Sequence, residues 1–225
     1  MTEQKSAAFF RAEGVILSRG VMASSAYLAS NAQRVGERVL RLGFVALTAP
    51  VHGLLGQNDR TLATRLAHLA FRNMTEDRIA ELSEEYTRDI LADSVLDQGR
   101  ELLKRARKQG HRIVLLSDNL ASIMEPLCTR LELVDDLVCN HLEYRDRRAT
   151  GKLCEPVVGG HGSGRWLRDY AAQHDIDLSR SLAYGAHGPD LLMLSAVGNP
   201  CAVNPDYTLR RSAREADWPI IDYRE

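Results

Sequence analysis

The sequence has no C-x-x-C pair, no excess of charge of either sign and no apolar run long enough to cross a bilayer. Its four cysteines (Cys128, Cys139, Cys154 and Cys201) are scattered through 225 residues with no leader-like segment ahead of them, which points to reduced thiols and a cytoplasmic protein. A net charge of −1, with 26% charged and 44% hydrophobic residues, supplies no field to draw in nucleic acid or an acidic membrane. The longest apolar stretch, Leu42 to Gly56, is interrupted by Pro50 and His52 and follows Arg41. It falls short of the roughly 20 residues a membrane span needs and reads as a buried helical hairpin. There is no internal repeat and no low-complexity segment.

What is present is alternation. Ala7 to Phe10 is a short apolar run ending in a polar turn, Arg11–Gly14, the pattern of a buried strand. From Ser24 to Asp93 apolar residues recur every three or four positions, with Thr75–Asp77 reading as a helix start; that stretch is all-helical. Beyond it come a helix closed by Gly110, a buried strand "HRIVLLSDN" leading into a polar turn, and another helix. A weak strand at Asp136–Asn140, a hairpin "LEYRDRRATGKL", a glycine-rich turn with a helix, and the strands "SLAYG" and "PCAVNP" follow. Strands alternating with helices give a parallel sheet covered on both faces, with a site at the carboxyl ends of the strands. The loops after Phe10, Leu116 and Tyr184 are where that site is expected.

Those loops, together with the order of elements over nearly the full length, resemble the haloacid dehalogenase (HAD) superfamily, in its phosphoserine-phosphatase-like subclass IB. The tail "AVNPDYTLRRSAREADWPIIDY" is similar to a bacterial branch sometimes fused to lysophospholipid acyltransferases. The resemblance implies an α/β fold, a HAD-like Rossmannoid parallel sheet flanked by helices, with an all-helical cap inserted after the first strand. Residues 1–20 and 94–225 would form the core and 21–93 the cap.

The same resemblance shows where the motifs depart. Family members carry D-x-D-G-T after the first strand, where the first Asp attacks phosphorus and the second moves a proton, with Mg²⁺ offsetting the repulsion between carboxylate and phosphate. Here the matching positions are Arg11 and Glu13, and a guanidinium that stays protonated is no nucleophile. Glu13 reads either as an acid/base or as a partner for Arg11. Ser117 matches the phosphoryl-binding Ser/Thr of the second motif, and Ser117, Asp118 or Asn119 reads equally as a cap for the next helix. At the third motif's lysine stands Ser163, with Arg165 as a substitute cation, Lys152 a remoter one and His161 a loop ligand, base or exposed residue. The fourth motif's two acids align with Ala186 and Asp190, and alanine offers Mg²⁺ no oxygen.

No cofactor is therefore expected. The implied protein is a pseudo-phosphatase that acts by binding or regulation through a metal-independent polar pocket. In that pocket Arg11 pairs with Glu13 or Asp190 and admits an anion beside Ser117, with Asn119, Ser163 and Arg165 nearby. The alternative is an enzyme turned to acid/base chemistry, with Glu13 and His187 as its catalytic groups, on a small or apolar substrate under the cap. The partner is a small molecule or a protein, and a homodimer is left open. The apolar first half of the cap (Leu40, Leu42, Phe44, Val45, Leu47, Val51, Leu54 and Leu55) suits core packing, dimerisation or a lipid-like ligand.

Overall fold

A computed structural model of the chain describes residues 5–31, 35–55, 60–159 and 163–223. Six parallel strands form the sheet, β1 (Ala7–Arg11), β2 (Arg112–Leu120), β3 (Asp136–Asn140), β6 (Leu182–Gly185), β7 (Asn199–Val203) and β8 (Ile220–Ile221), in the order β3-β2-β1-β6-β7-β8. The strand order reverses at β1, so the crevice for a ligand opens where β1, β2 and β6 end. Every residue of β1 is buried, as a central strand covered on both faces demands. Because successive side chains alternate, Phe9 packs with Val114, Leu167 and Met193 on one face and Phe10 with Leu115, Tyr184 and Leu103 on the other.

After β1 the chain turns through Gly14 into α1 (Val21–Ser30), α2 (Val35–Leu55), α3 (Arg60–His68) and α4 (Glu76–Tyr86), then enters α5 (Asp97–Lys108). Thr75 caps α4 by accepting from the Arg78 amide. Following β2 come α6 (Ala121–Leu131), the antiparallel hairpin β4 (Leu142–Arg145) and β5 (Arg148–Leu153), α7 (Ser163–His174), the one-turn α8 (Leu191–Leu194) and α9 (Tyr207–Glu215). The hairpin leans on the inserted helices: the Asn73 amide donates to the Ala149 carbonyl and the Ala149 amide to that of Met74.

Three expectations need correcting. Leu42–Gly56 is no buried hairpin: residues through Leu55 lie in the single helix α2, and Leu40 and Leu47 are 75% and 78% exposed. Pro50 is tolerated inside it because the carbonyl it deprives of a donor, that of Ala46, lies on the exposed face. Gly56 lies outside the described residues, as do the side chains of Val51, Leu54 and Leu55. The polar turn expected after Leu116 is instead a continuation of β2, carried past a register shift to the pair Leu120↔Asn140 and held by Asn140 Nδ2 donating to the Asp118 carbonyl at 2.8 Å. The tail "WPIID" adds the edge strand β8, which the sequence reading did not include. No helix among the described residues is long and apolar enough to cross a membrane.

Candidate functional site

Five charged side chains meet, buried, where the carboxyl ends of β1, β2 and β6 come together under the inserted helices. Arg11 closes β1 and is 1% exposed. Its Nη2 donates to Asp118 Oδ1 at 2.7 Å and to Glu13 Oε2 at 3.1 Å, and its Nε lies 3.3 Å from Asp190 Oδ1. Arg60 descends from the first turn of α3, its Nε donating to Asp118 Oδ2, its Nη1 lying 3.4 Å from Asp190 Oδ1 and its Nη2 3.9 Å from Glu13 Oε2. Three carboxylates thus enclose two guanidiniums, a formal balance of −1.

Burial alone would lower the Arg11 pKa, yet Asp118, Asp190 and Glu13 outweigh it and hold the guanidinium firmly protonated. Burial alone would likewise raise the pKa values of Asp118 and Asp190. The charges of Arg11 and Arg60 overcome that and hold both acids below the ordinary carboxylate range.

Glu13 has a second set of partners. Its Oε1 accepts from Ser117 Oγ at 2.5 Å, from the Asp118 amide at 3.1 Å and from Asn119 Nδ2 at 3.1 Å. The donors expected to hold an anion beside Ser117 therefore hold the protein's own carboxylate. Asn119 accepts in turn from Ser24 Oγ of α1 at 2.5 Å, and Thr61 Oγ1 donates to the Gly159 carbonyl at 3.1 Å, so the helical insert is tied to the core at several points around the cluster. The capping reading of Ser117–Asn119 does not hold, because α6 begins after Leu120 with no side-chain cap.

Asp190 is fixed by amides from Ala186 and His187, which donate to its Oδ2 at 2.9 and 3.0 Å. The His187 ring stands at the margin, partly exposed, with Nδ1 3.9 Å from Asp190 Oδ2. Burial, and then Arg60, push its pKa below the usual histidine value. Gly14 is required beneath it: φ is +84°, and a Cβ there would fall 2.6 Å from Ala186 Cβ.

Of the residues named from sequence, Arg11, Glu13, Ser117, Asn119 and Asp190 come together and His187 borders them. Arg165 does not join them. Its side chain is 87% exposed and reaches toward Asp169, at 4.0 Å, because position 165 falls on the outer side of α7. Lys152 is exposed on β5. His161 and the Ser163 side chain lie outside the described residues. The second cation of the cluster is Arg60, which the sequence reading missed, and Asp118 was weighed only as a helix cap. Both stand in short polar runs, Gln57–Thr61 and Ser117–Asn119, and nothing local marks them as partners; 58 residues separate the two.

Mg²⁺, which the family resemblance implies, does not fit this donor set. A small hard cation takes a near-octahedral shell of oxygens, whereas Glu13, Asp118 and Asp190 each face fixed guanidinium nitrogens and Ala186 contributes no oxygen. Among the described residues no group of three or more His, Cys, Asp or Glu side chains is arranged to hold a metal ion.

Comparison with known proteins places the chain in a family. The chain is 32% identical over 187 residues to a phosphoserine phosphatase of Mycobacterium tuberculosis, covering 81% of this chain and 60% of the relative. It is 30% identical over 152 residues to the inhibition of morphological differentiation protein of Streptomyces azureus, covering 68% of this chain and 54% of that one. It thus spans between about half and three fifths of the length of these curated relatives. A solved protein of unknown function from Bordetella pertussis Tohama I superposes with a TM-score of 0.82 at 21% identity, covering 98% of this chain and 99% of that one. A phosphoserine phosphatase in its apo form gives 0.72 at 15% identity, covering 99% and 96%; at these identities the likeness is one of fold. The haloacid dehalogenase-like hydrolase family matches residues 21–195, a stretch that begins beyond Arg11 and Glu13. With 175 of 225 residues inside that match and the same sheet and inserted helices, the chain belongs to the haloacid dehalogenase-like hydrolases, related to the phosphoserine phosphatases.

Proposed function

We propose that this chain is a pseudo-phosphatase, a HAD-fold protein that has given up aspartyl-phosphate turnover and acts by binding or regulation around a metal-independent polar centre. The observation that carries this reading is the position of Arg11, buried at the end of β1 and engaged with all three carboxylates of the centre. A group that stays protonated there cannot attack phosphorus. Two further features support it: Arg60 brings a second fixed positive charge from the cap, and Glu13 fills the anion cradle formed by Ser117, the Asp118 amide and Asn119. The centre is in effect self-occupied, with guanidinium in place of cation and carboxylate in place of phosphate.

The test has two arms. Purified protein is assayed with phosphoserine and p-nitrophenyl phosphate in the presence of Mg²⁺, and no turnover is expected. Mg²⁺-dependent hydrolysis at about 1 s⁻¹ or faster, within the ordinary enzymatic range, overturns the proposal. Thermal unfolding is then followed with inorganic phosphate. A ligand that binds only the folded state raises its stability, and the wild type should show no rise because Glu13 already holds the donors. Glu13→Ala frees Ser117 Oγ and Asn119 Nδ2 and removes one negative charge, so phosphate should stabilise that variant. A Mg²⁺-dependent rise with phosphate in the wild type contradicts the self-occupied centre.

A further inference from the structure

The helix α2 is inside out. Between Val39 and Pro50 the one charged residue is Arg41, and it turns inward, its Nη1 donating to the Ala70 carbonyl. Thr48, also on the inner side, hydrogen-bonds back to the carbonyls of Phe44 and Val45. The outward side carries Val39, Leu40 and Leu47, which are 64%, 75% and 78% exposed. Exposed apolar surface of that extent on one helix, with no charge among it, marks a contact face.

Its detailed pattern says what the contact is. Gly36, Leu40, Gly43 and Leu47 follow one another at spacings of four, three and four residues, the seam of a heptad repeat. Added Cβ atoms at Gly36 and Gly43 would meet nothing within 4 Å, so each glycine is an open notch beside a protruding leucine. On this numbering Val45 falls diametrically opposite the seam, and it is the residue of the segment buried in the fold, at 7% exposure. The surface is therefore a row of alternating knobs and holes.

We propose that this row pairs with the same row of a second copy of the chain, the two α2 helices running antiparallel about a two-fold axis. In that register Leu40 enters the notch at Gly43 of the second copy and Leu47 the notch at Gly36, and symmetry repeats both contacts. Each leucine meets a glycine, which brings the helix axes to about 8 Å, the close end of helix packing. A parallel pairing sets leucine against leucine and leaves empty glycine layers between, so the pattern itself selects the orientation. A lipid surface is the less suited occupant: the row carries neither the lysines nor the tryptophan of an interfacial helix, and the chain's net charge is −1. None of the five cluster residues takes part, so the pairing stands apart from the proposed loss of catalysis.

The test is sedimentation of the full chain over about a hundredfold range of concentration. Reversible dimerisation is expected in the wild type. Leu47→Glu and Leu40→Glu, both on exposed positions and checked for unchanged thermal unfolding of the monomer, should each raise the dimer dissociation constant at least about thirtyfold, because each change is made twice in the interface. Orientation is read by mixing Leu40→Cys and Gly43→Cys chains, each in a Cys154→Ser background. The mixture should form a disulfide-linked heterodimer much faster than either variant alone, since only Cα atoms within about 7 Å can be bridged. A wild type that stays monomeric throughout, a dimer indifferent to both glutamates, crosslinking no faster in the mixture, or a monomer that instead floats with phosphatidylcholine and phosphatidylglycerol vesicles would each overturn the proposal.

Discussion

Replacing Arg60 by methionine keeps a long apolar stem on α3 and removes the guanidinium that bridges the helical insert to Asp118, Asp190 and Glu13. Three buried carboxylates are then left with Arg11 alone. Breaking a buried ion pair by deleting one partner costs about 3–5 kcal/mol, and the Arg60 side chain is 9% exposed, so solvent screens little of it. At about 2–4 °C per kcal/mol for a chain of this size, the melting temperature should fall by about 6–20 °C at pH 7. The pH dependence carries the sharper signature. Asp118 and Asp190 have depressed folded-state pKa values, so their contribution is complete above the unfolded value of about 4 and is lost as pH falls through the folded value. The gap between wild type and Arg60→Met should therefore be full at pH 7 and shrink at about pH 3.5, where the acids of the variant take up protons and stop repelling one another. Calorimetry or urea unfolding at the two pH values reads this directly. A loss below about 2 °C at pH 7, or an equal deficit at both pH values, refutes the assignment of Arg60 as the electrostatic tie. Adding Asp118→Asn should give a double variant less destabilised than the sum of the singles, with a coupling of about 0.5–3 kcal/mol.

Three further outcomes are expected. Ser117→Ala removes a hydroxyl donor from the buried Glu13 carboxylate and should cost about 1.5–3 kcal/mol, the range for hydrogen bonds to charged groups, measured as a shift in urea midpoint at constant slope. Gly14→Ala must adopt φ near +84° and place a methyl group against Ala186 and His187; a loss of about 1–3 kcal/mol is expected by the same assay, with Gly14→Ser no better. Wild-type stability should stay level from pH 7 to about pH 4 as far as Asp118 is concerned and decline as pH falls toward about 2, which acid titration followed by circular dichroism tests; a decline that begins near pH 6 would place the responsible group elsewhere.

Much of the site was legible in the chain because strand ends are local. The apolar run Ala7–Phe10 fixes where β1 stops and so where Arg11 and Glu13 emerge, and "GAHGPD" does the same for Asp190 after β6; "LLSDN" pointed to Ser117, although β2 runs on through it to Leu120. What Arg11 and Ala186 can contribute could be read without coordinates, since a guanidinium and a methyl group carry their chemistry with them. Periodicity also found the helical insert, although it misjudged α2: a hydrophobic pattern marks a face and does not say that the fold covers it.

Tertiary structure alone decided the rest. Arg60 reaches the centre from 58 residues before Asp118 and 130 before Asp190, and no local spacing records that meeting. Only the folded chain turns Asp118 from a possible cap into a ligand of two guanidiniums, and only there does Glu13 prove to sit in the cradle made by Ser117 and Asn119. The physical reason is range: backbone preference and burial pattern act over a few residues and are written in sequence order. Charge pairing acts through space, between side chains that the sheet and its helical insert bring together.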